Sequence, residues 1–106
     1  MPTLEDSGTK TADGTEQTLT TLDTNGVFIL EVDTGAMTNG NTLELKIYTK
    51  VLTGGTSRLA YVATYSNVQA TPNKYSVPVH SGIEFIATLK QLAATYRDYP
   101  WAVYSI

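Results

Sequence analysis

The sequence contains no cysteine, which excludes a disulfide framework and any thiolate-bound metal. That absence fits any compartment, although small secreted domains more often carry disulfides. Charge is also scarce: 16% of the residues are charged, against roughly 25% in an average soluble domain. The seven basic side chains are scattered from Lys10 to Arg97, so no basic stripe is available to neutralise phosphates. Nucleic-acid binders draw much of their affinity from such a stripe. With a net charge of −3, this chain is expected to bind neither nucleic acid nor an anionic membrane. No apolar run approaches the roughly 20 residues that cross a bilayer as a helix. The opening from Met1 to Asp13 is polar and acidic, and no signal peptide is expected from it.

What fills the gap is threonine and tyrosine, residues suited to a pleated, half-exposed strand. The length of 106 residues suits one domain with a modest core. Residues 1–13 read as a flexible arm or a short edge strand, and residues 14–106 as a single β-sandwich domain. Thr15 to Leu22 reads as a strand closed by Asp23-Thr24-Asn25-Gly26, where the Asn-Gly pair signals a type I′ turn. Val27 to Asp33 is apolar on both faces, as a central strand is. Thr34 to Asn41 reads as a loop. Between Asn41 and Val51, Leu43, Leu45 and Ile47 alternate with Glu44, Lys46 and Tyr48, the period-two pattern of a strand with one face in the core.

Gly54-Gly55 is expected at a hairpin tip, with Arg58 to Ser66 returning and Leu59, Tyr61, Ala63 and Tyr65 sharing a face. Pro72 keeps Asn67 to Asn73 out of any central strand. Tyr75 to Val79 reads as a short edge strand broken by Pro78. Ile83 to Leu92 reads as a strand, although Ala87 to Tyr96 would also accommodate a helical turn or two. Tyr99 to Ile106 completes the set, with Trp101 and Val103 on one face. Seven to eight short strands with regular turn signals give an all-β, antiparallel, jelly-roll-like sandwich. Phe28, Leu43, Leu45, Ile47, Leu59, Tyr61, Phe85, Leu89, Trp101 and Val103 form the expected core.

Catalytic constellations are hard to find. His80 is the only histidine, and a lone histidine needs a nucleophile and an orienting acid to act as a general base. No serine sits in a Gly-x-Ser-x-Gly elbow. Glu31 and Asp33 share a strand face, the arrangement of a paired-acid site or of a Ca²⁺ site completed by Thr34, Asn39 and Asn41. The Asp-x-Asp-x-Asp-Gly loop that would support the metal is missing, and Asp23-Thr24-Asn25-Gly26 is better explained as a turn. Neither enzymatic activity nor a cofactor is expected. The tyrosines, with Trp101, leave three readings open: core packing, a protein interface, or an aromatic platform that stacks sugar rings.

The run Gly54-Gly55-Thr56-Ser57-Arg58-Leu59-Ala60-Tyr61, followed by Ala63-Thr64-Tyr65-Ser66, resembles small structural proteins of tailed bacteriophages and prophages. Thr15-Glu16-Gln17-Thr18-Leu19, Leu43-Glu44-Leu45-Lys46-Ile47 and Thr88-Leu89-Lys90-Gln91 add to the likeness, which covers the chain from about residue 14 onward. The resemblance implies a virion protein made in the host bacterial cytoplasm, most simply a capsid decoration (cement) protein on the capsid surface. Its implied partners are the major capsid protein or other virion proteins, and it implies a homo-oligomer, with a trimer favoured. A tail or head–tail connector role, or a carbohydrate-binding module, are the alternatives. Open strand edges are ready templates for pairing. The candidate partner contacts are therefore Thr3 and Leu4 in the arm, and Tyr75, Val77, Pro78 and His80 along the short edge strand.

Overall fold

The computed structural model describes residues 2–93 and 95–106. Met1, at the head of the expected arm, and Ala94, inside the Ala87–Tyr96 stretch, lie outside the described residues. Nine strands follow one another: β1 (Thr3–Thr11), β2 (Gln17–Leu22), β3 (Gly26–Asp33), β4 (Thr42–Thr49), β5 (Arg58–Ser66), β6 (Asn73–Tyr75), β7 (Val79–Ser81), β8 (Phe85–Ala93) and β9 (Asp98–Ser105). Among the described residues there is no helix.

The strands form two antiparallel sheets packed face to face. One has the order β1-β9-β3-β6, with β7 also on β3, and the other has the order β2-β8-β4-β5. The ladders nest. β1 pairs with β9, β2 with β8, β3 with both β6 and β7, and β4 with β5. The four central strands show why the sequence folds this way. Their alternate side chains point into one core: Phe28, Leu30 and Val32 from β3 and Tyr99, Trp101 and Val103 from β9. Leu43, Leu45 and Ile47 from β4 and Phe85, Ala87 and Leu89 from β8 meet them from the other sheet. Phe28 and Phe85 join the sheets directly, with ring centroids 5.2 Å apart and a 55° tilt. That tilted geometry is one that aromatic quadrupoles favour.

Four sequence expectations need correction. First, Asn25-Gly26 does not form a hairpin turn, because β2 and β3 belong to different sheets. The positive φ angles fall at Gly14, Gly40, Gly54 and Asn67 instead. Gly26 is small for another reason: a Cβ there would sit 2.9 Å from the Phe28 ring. Second, Leu59 leaves the core and is 50% exposed. The register shifts between Ile47 and Tyr48, so Leu59 pairs with the outward-facing Tyr48 while Tyr61 pairs with the inward Ile47. One extra residue in β5 has turned Leu59 to the other face.

Third, the expected strand from Tyr75 to Val79 is two strands with a gap at Ser76–Pro78. Pro78 cannot donate to the ladder, and Ser76 bridges the break: its backbone N–H bonds the Leu30 carbonyl at 2.8 Å while its hydroxyl accepts the Leu30 N–H at 3.0 Å. Fourth, the described residues form nine strands instead of seven or eight. The split accounts for one, and β1, where an arm or an edge strand was expected, accounts for another. β1 is exposed along nearly its whole length. Backbone pairing to β9 and a few polar contacts hold it, including a hydrogen bond from the Thr20 hydroxyl to Asp6 at 2.7 Å.

Of the expected strand from Ile83 to Leu92, Phe85 to Ala93 is strand, not helix, and its inward-pointing polar residue explains the weak pattern. Gln91 is fully buried in β8. Its amide donates to the carbonyls of Ala93 and Thr95 at 2.8 and 2.7 Å, and its carbonyl accepts the Arg97 N–H and the Tyr99 hydroxyl. The equally buried Asn41 reaches the same two carbonyls from the opposite side. Both amides are therefore satisfied, as buried polar groups must be.

Candidate functional site

The outer face of the five-stranded sheet carries the most distinctive surface. It is built by alternation: because Val103, Leu30 and Val32 point inward, Tyr104, Ile29 and Glu31 must point out. The ladders place Leu4 opposite Tyr104, Tyr104 opposite Ile29, and Glu31 opposite Tyr75. The outward side chains thus run in a row from one sheet edge to the other. Pro2, Ile29, Glu31, Tyr75 and Tyr104 line an open, apolar groove of about 230 Å³. Glu31 is its one charged group. The Glu31 carboxylate beside Tyr75 raises the phenol's pKa above its ordinary value.

A second depression of about 210 Å³ continues the face past Glu31 and is lined by Glu31, Asp33, Asn73, Pro100, Trp101 and Ala102. Glu31 and Asp33 do share this face. The loop oxygens expected to complete a Ca²⁺ site are committed elsewhere. Thr34 donates its hydroxyl to the Pro72 carbonyl at 2.6 Å. The Asn41 carbonyl accepts from Thr38, and the Asn39 carbonyl accepts the Val68 N–H. Asp33 itself accepts the Gly35 N–H at 2.8 Å in a local turn.

Of the candidate contacts, Thr3 and Leu4 lie on β1 at one edge, while Tyr75, Val77, Pro78 and His80 lie on or between β6 and β7 at the opposite edge. β9 and β3 separate the two groups. Leu4, Tyr75 and Val77 are all more than half exposed. Tyr75 enters the groove. His80 pairs with Val27 near the far end of β3 and is exposed. Among the described residues its ring makes no side-chain hydrogen bond with an acid or a hydroxyl.

Pro2 and Ile29 are groove residues that the sequence did not single out, and Tyr104 figured there only among the tyrosines weighed together. The signal existed, since Ile29 and Tyr104 are large apolar residues on the non-core faces of two central strands. Trp101 is buried at 8% exposure, and the fully buried Tyr99 belongs to the core. Tyr75 and Tyr104 are therefore the aromatic residues that this face presents.

The outer face of the other sheet is polar. Glu16 accepts hydrogen bonds from the Thr88 and Tyr48 hydroxyls, both at 2.7 Å. These bonds hold the Glu16 carboxyl below its ordinary pKa and push the Tyr48 hydroxyl up. Lys46 pairs with Glu44 at 3.2 Å on the same face. Among the described residues, exposed apolar side chains return at Leu92 on β8, toward β5 at Leu59 and Val62, and at the β4–β5 hairpin tip, where Val51 and Leu52 stand out. Comparison with models of known protein families, with curated proteins and with solved structures finds no match.

Proposed function

We propose that this protein is a non-enzymatic structural component of a bacteriophage virion, a decoration protein that docks on the capsid surface through the outer face of its β1-β9-β3-β6 sheet. The observation that carries the docking reading is the apolar groove lined by Pro2, Ile29, Glu31, Tyr75 and Tyr104. An apolar concavity flanked by exposed Leu4 and Val77 suits burial against another protein. Tyrosines contribute large contact area at small conformational cost. Glu31 and Asp33 make the rim acidic, so the fitting partner presents an apolar side chain beside a basic one.

The virion assignment draws on the resemblance of the Gly54–Ser66 region to small phage structural proteins. We read the nested ladders as jelly-roll order, a double-sheet architecture common in capsid and lectin domains. The test is saturable binding of the purified protein to mature heads, measured by co-sedimentation. Binding that saturates and is weakened by Tyr75→Ala supports the reading. Purified protein that ignores heads, while tails contain it, defeats the decoration role.

A second reading rests on Tyr75 and Tyr104 flanking one groove with a carboxylate between them. Two aromatic rings and an acid are the elements of a sugar-stacking site. Quenching of tyrosine fluorescence by glycans, lost in Tyr104→Ala, would favour it over capsid docking.

A further inference from the structure

Three of the four sheet edges are guarded against pairing. β1 carries Glu5, Asp6 and Lys10 and has a register shift between Leu4 and Asp6. β2 has six residues and a shift between Thr18 and Thr20. β6 and β7 have three residues each, separated by a gap containing Pro78. Charge, bulges, proline and short length are the usual devices that blunt an edge. β5 has fewer of them. It is nine residues long, its bulge lies near its start, and from Leu59 to Ser66 it has no charge, glycine or proline.

The direction of its free hydrogen-bonding groups follows from the ladder. The Asn67 N–H reaches the Asn41 carbonyl at 2.8 Å, one step beyond the Ser66–Thr42 pair. By alternation Tyr61, Ala63 and Tyr65 direct their backbone groups to β4, while Val62 and Thr64 turn theirs to the open side. The regular segment lies between the bulge before Tyr61 and Asn67, whose φ is +67°. It reads Tyr61-Val62-Ala63-Thr64-Tyr65, nearly the same in both directions.

We propose that β5 pairs with β5 of a second copy, antiparallel about a two-fold axis through Ala63, fusing the two four-stranded sheets into one. In that register Tyr61 of each copy faces Tyr65 of the other, and Val62 faces Thr64. Aromatic pairs and β-branched pairs are favourable cross-strand neighbours. The axial Ala63 pair occupies a non-hydrogen-bonded position, where Cα atoms approach to about 4.5 Å, and two methyl groups fit there without crowding. The open N–H and C=O groups of Val62 and Thr64 are all satisfied, and no like charges meet. The contact is isologous and closes at two copies. It is distinct from the trimer that the resemblance implies and does not depend on a virion role.

The chain has no cysteine, so an introduced one reports on a single position. Under mild oxidation of the full chain, Ala63→Cys is expected to give a disulfide-linked dimer, because the two sulfurs meet on the axis. Val62→Cys faces a threonine and is expected to form no disulfide-linked dimer. By light scattering after size exclusion, the unmodified chain is expected to be a dimer. The double variant Val62→Lys, Thr64→Lys sets lysine opposite lysine and is expected to lose the dimer peak while keeping the β circular-dichroism spectrum of the unmodified chain. Should that variant fail to fold, the comparison of the two cysteine variants still decides. A chain that is monomeric at every concentration, cross-linking at Val62→Cys as fast as at Ala63→Cys, or a trimer untouched by the lysines would each overturn the proposal.

Discussion

The Tyr99 hydroxyl donates to the Gln91 side-chain carbonyl at 2.9 Å, and both side chains are completely buried. This bond ties β9 in one sheet to β8 in the other at the end of the sandwich where the chain crosses between them. Burial raises the Tyr99 pKa above the ordinary phenol value, so the hydroxyl remains a donor through the neutral range. Tyr99→Phe removes one of two donors to the Gln91 carbonyl and should cost about 1–2 kcal/mol. Gln91→Leu leaves the Tyr99 hydroxyl and the Arg97 N–H without their acceptor, takes one donor each from the Ala93 and Thr95 carbonyls, and should cost more, about 3 kcal/mol or above. Urea unfolding of the two variants gives the ranking.

Ser76 completes the β3 edge where the ladder is interrupted. Its hydroxyl is the partner of the Leu30 N–H, and Leu30 is 1% exposed. Ser76→Ala leaves that donor buried and unpaired, a loss of about 1–3 kcal/mol. Hydrogen exchange at the Leu30 amide should accelerate in this variant more than at the neighbouring core amides.

Gly26→Ala tests whether this glycine serves packing or a turn. Its φ is not positive, so alanine fits the backbone, but the new methyl would press the Phe28 ring at 2.9 Å. Overpacking of this kind costs about 1–3 kcal/mol. Combining Gly26→Ala with Phe28→Leu should recover part of that loss, whereas a turn role would give no such coupling in a double-mutant cycle.

Much of the architecture is readable from the sequence because the four central strands alternate cleanly. Phe28, Leu43, Ile47, Phe85 and Val103 identify themselves by period two alone. What stays hidden depends on partners distant in sequence. The bulge that turns Leu59 outward is visible only against β4. The fate of Asn25-Gly26 depends on β2 and β3 joining different sheets. The candidate groove was only partly legible: Leu4 and Tyr75 stand out as edge residues, but Ile29 and Tyr104 become surface features only once their opposite faces are known to fill the core.

Glu16 gives the fold a mild acid dependence. Hydrogen bonds from Thr88 and then Tyr48 lower its pKa in the folded state. A lowered carboxylate contributes stability above its unfolded pKa and loses it as pH falls through the folded value. Tyr48 is raised, so its contribution is present below its unfolded pKa and is lost as alkaline pH passes the folded value. The site is largely exposed, so the effect is small. Urea midpoints for Glu16→Gln should fall less steeply than for the unmodified chain between pH about 5 and about 3.

The virion role is tested most directly by the copy number and position of this protein in purified phage particles, from quantitative mass spectrometry with cryo-electron microscopy. A decoration protein should be present in many copies on a regular head lattice, with the Pro2, Ile29, Tyr75 and Tyr104 face against the capsid. A few copies at one vertex or along the tail, or none in the particle, would contradict it.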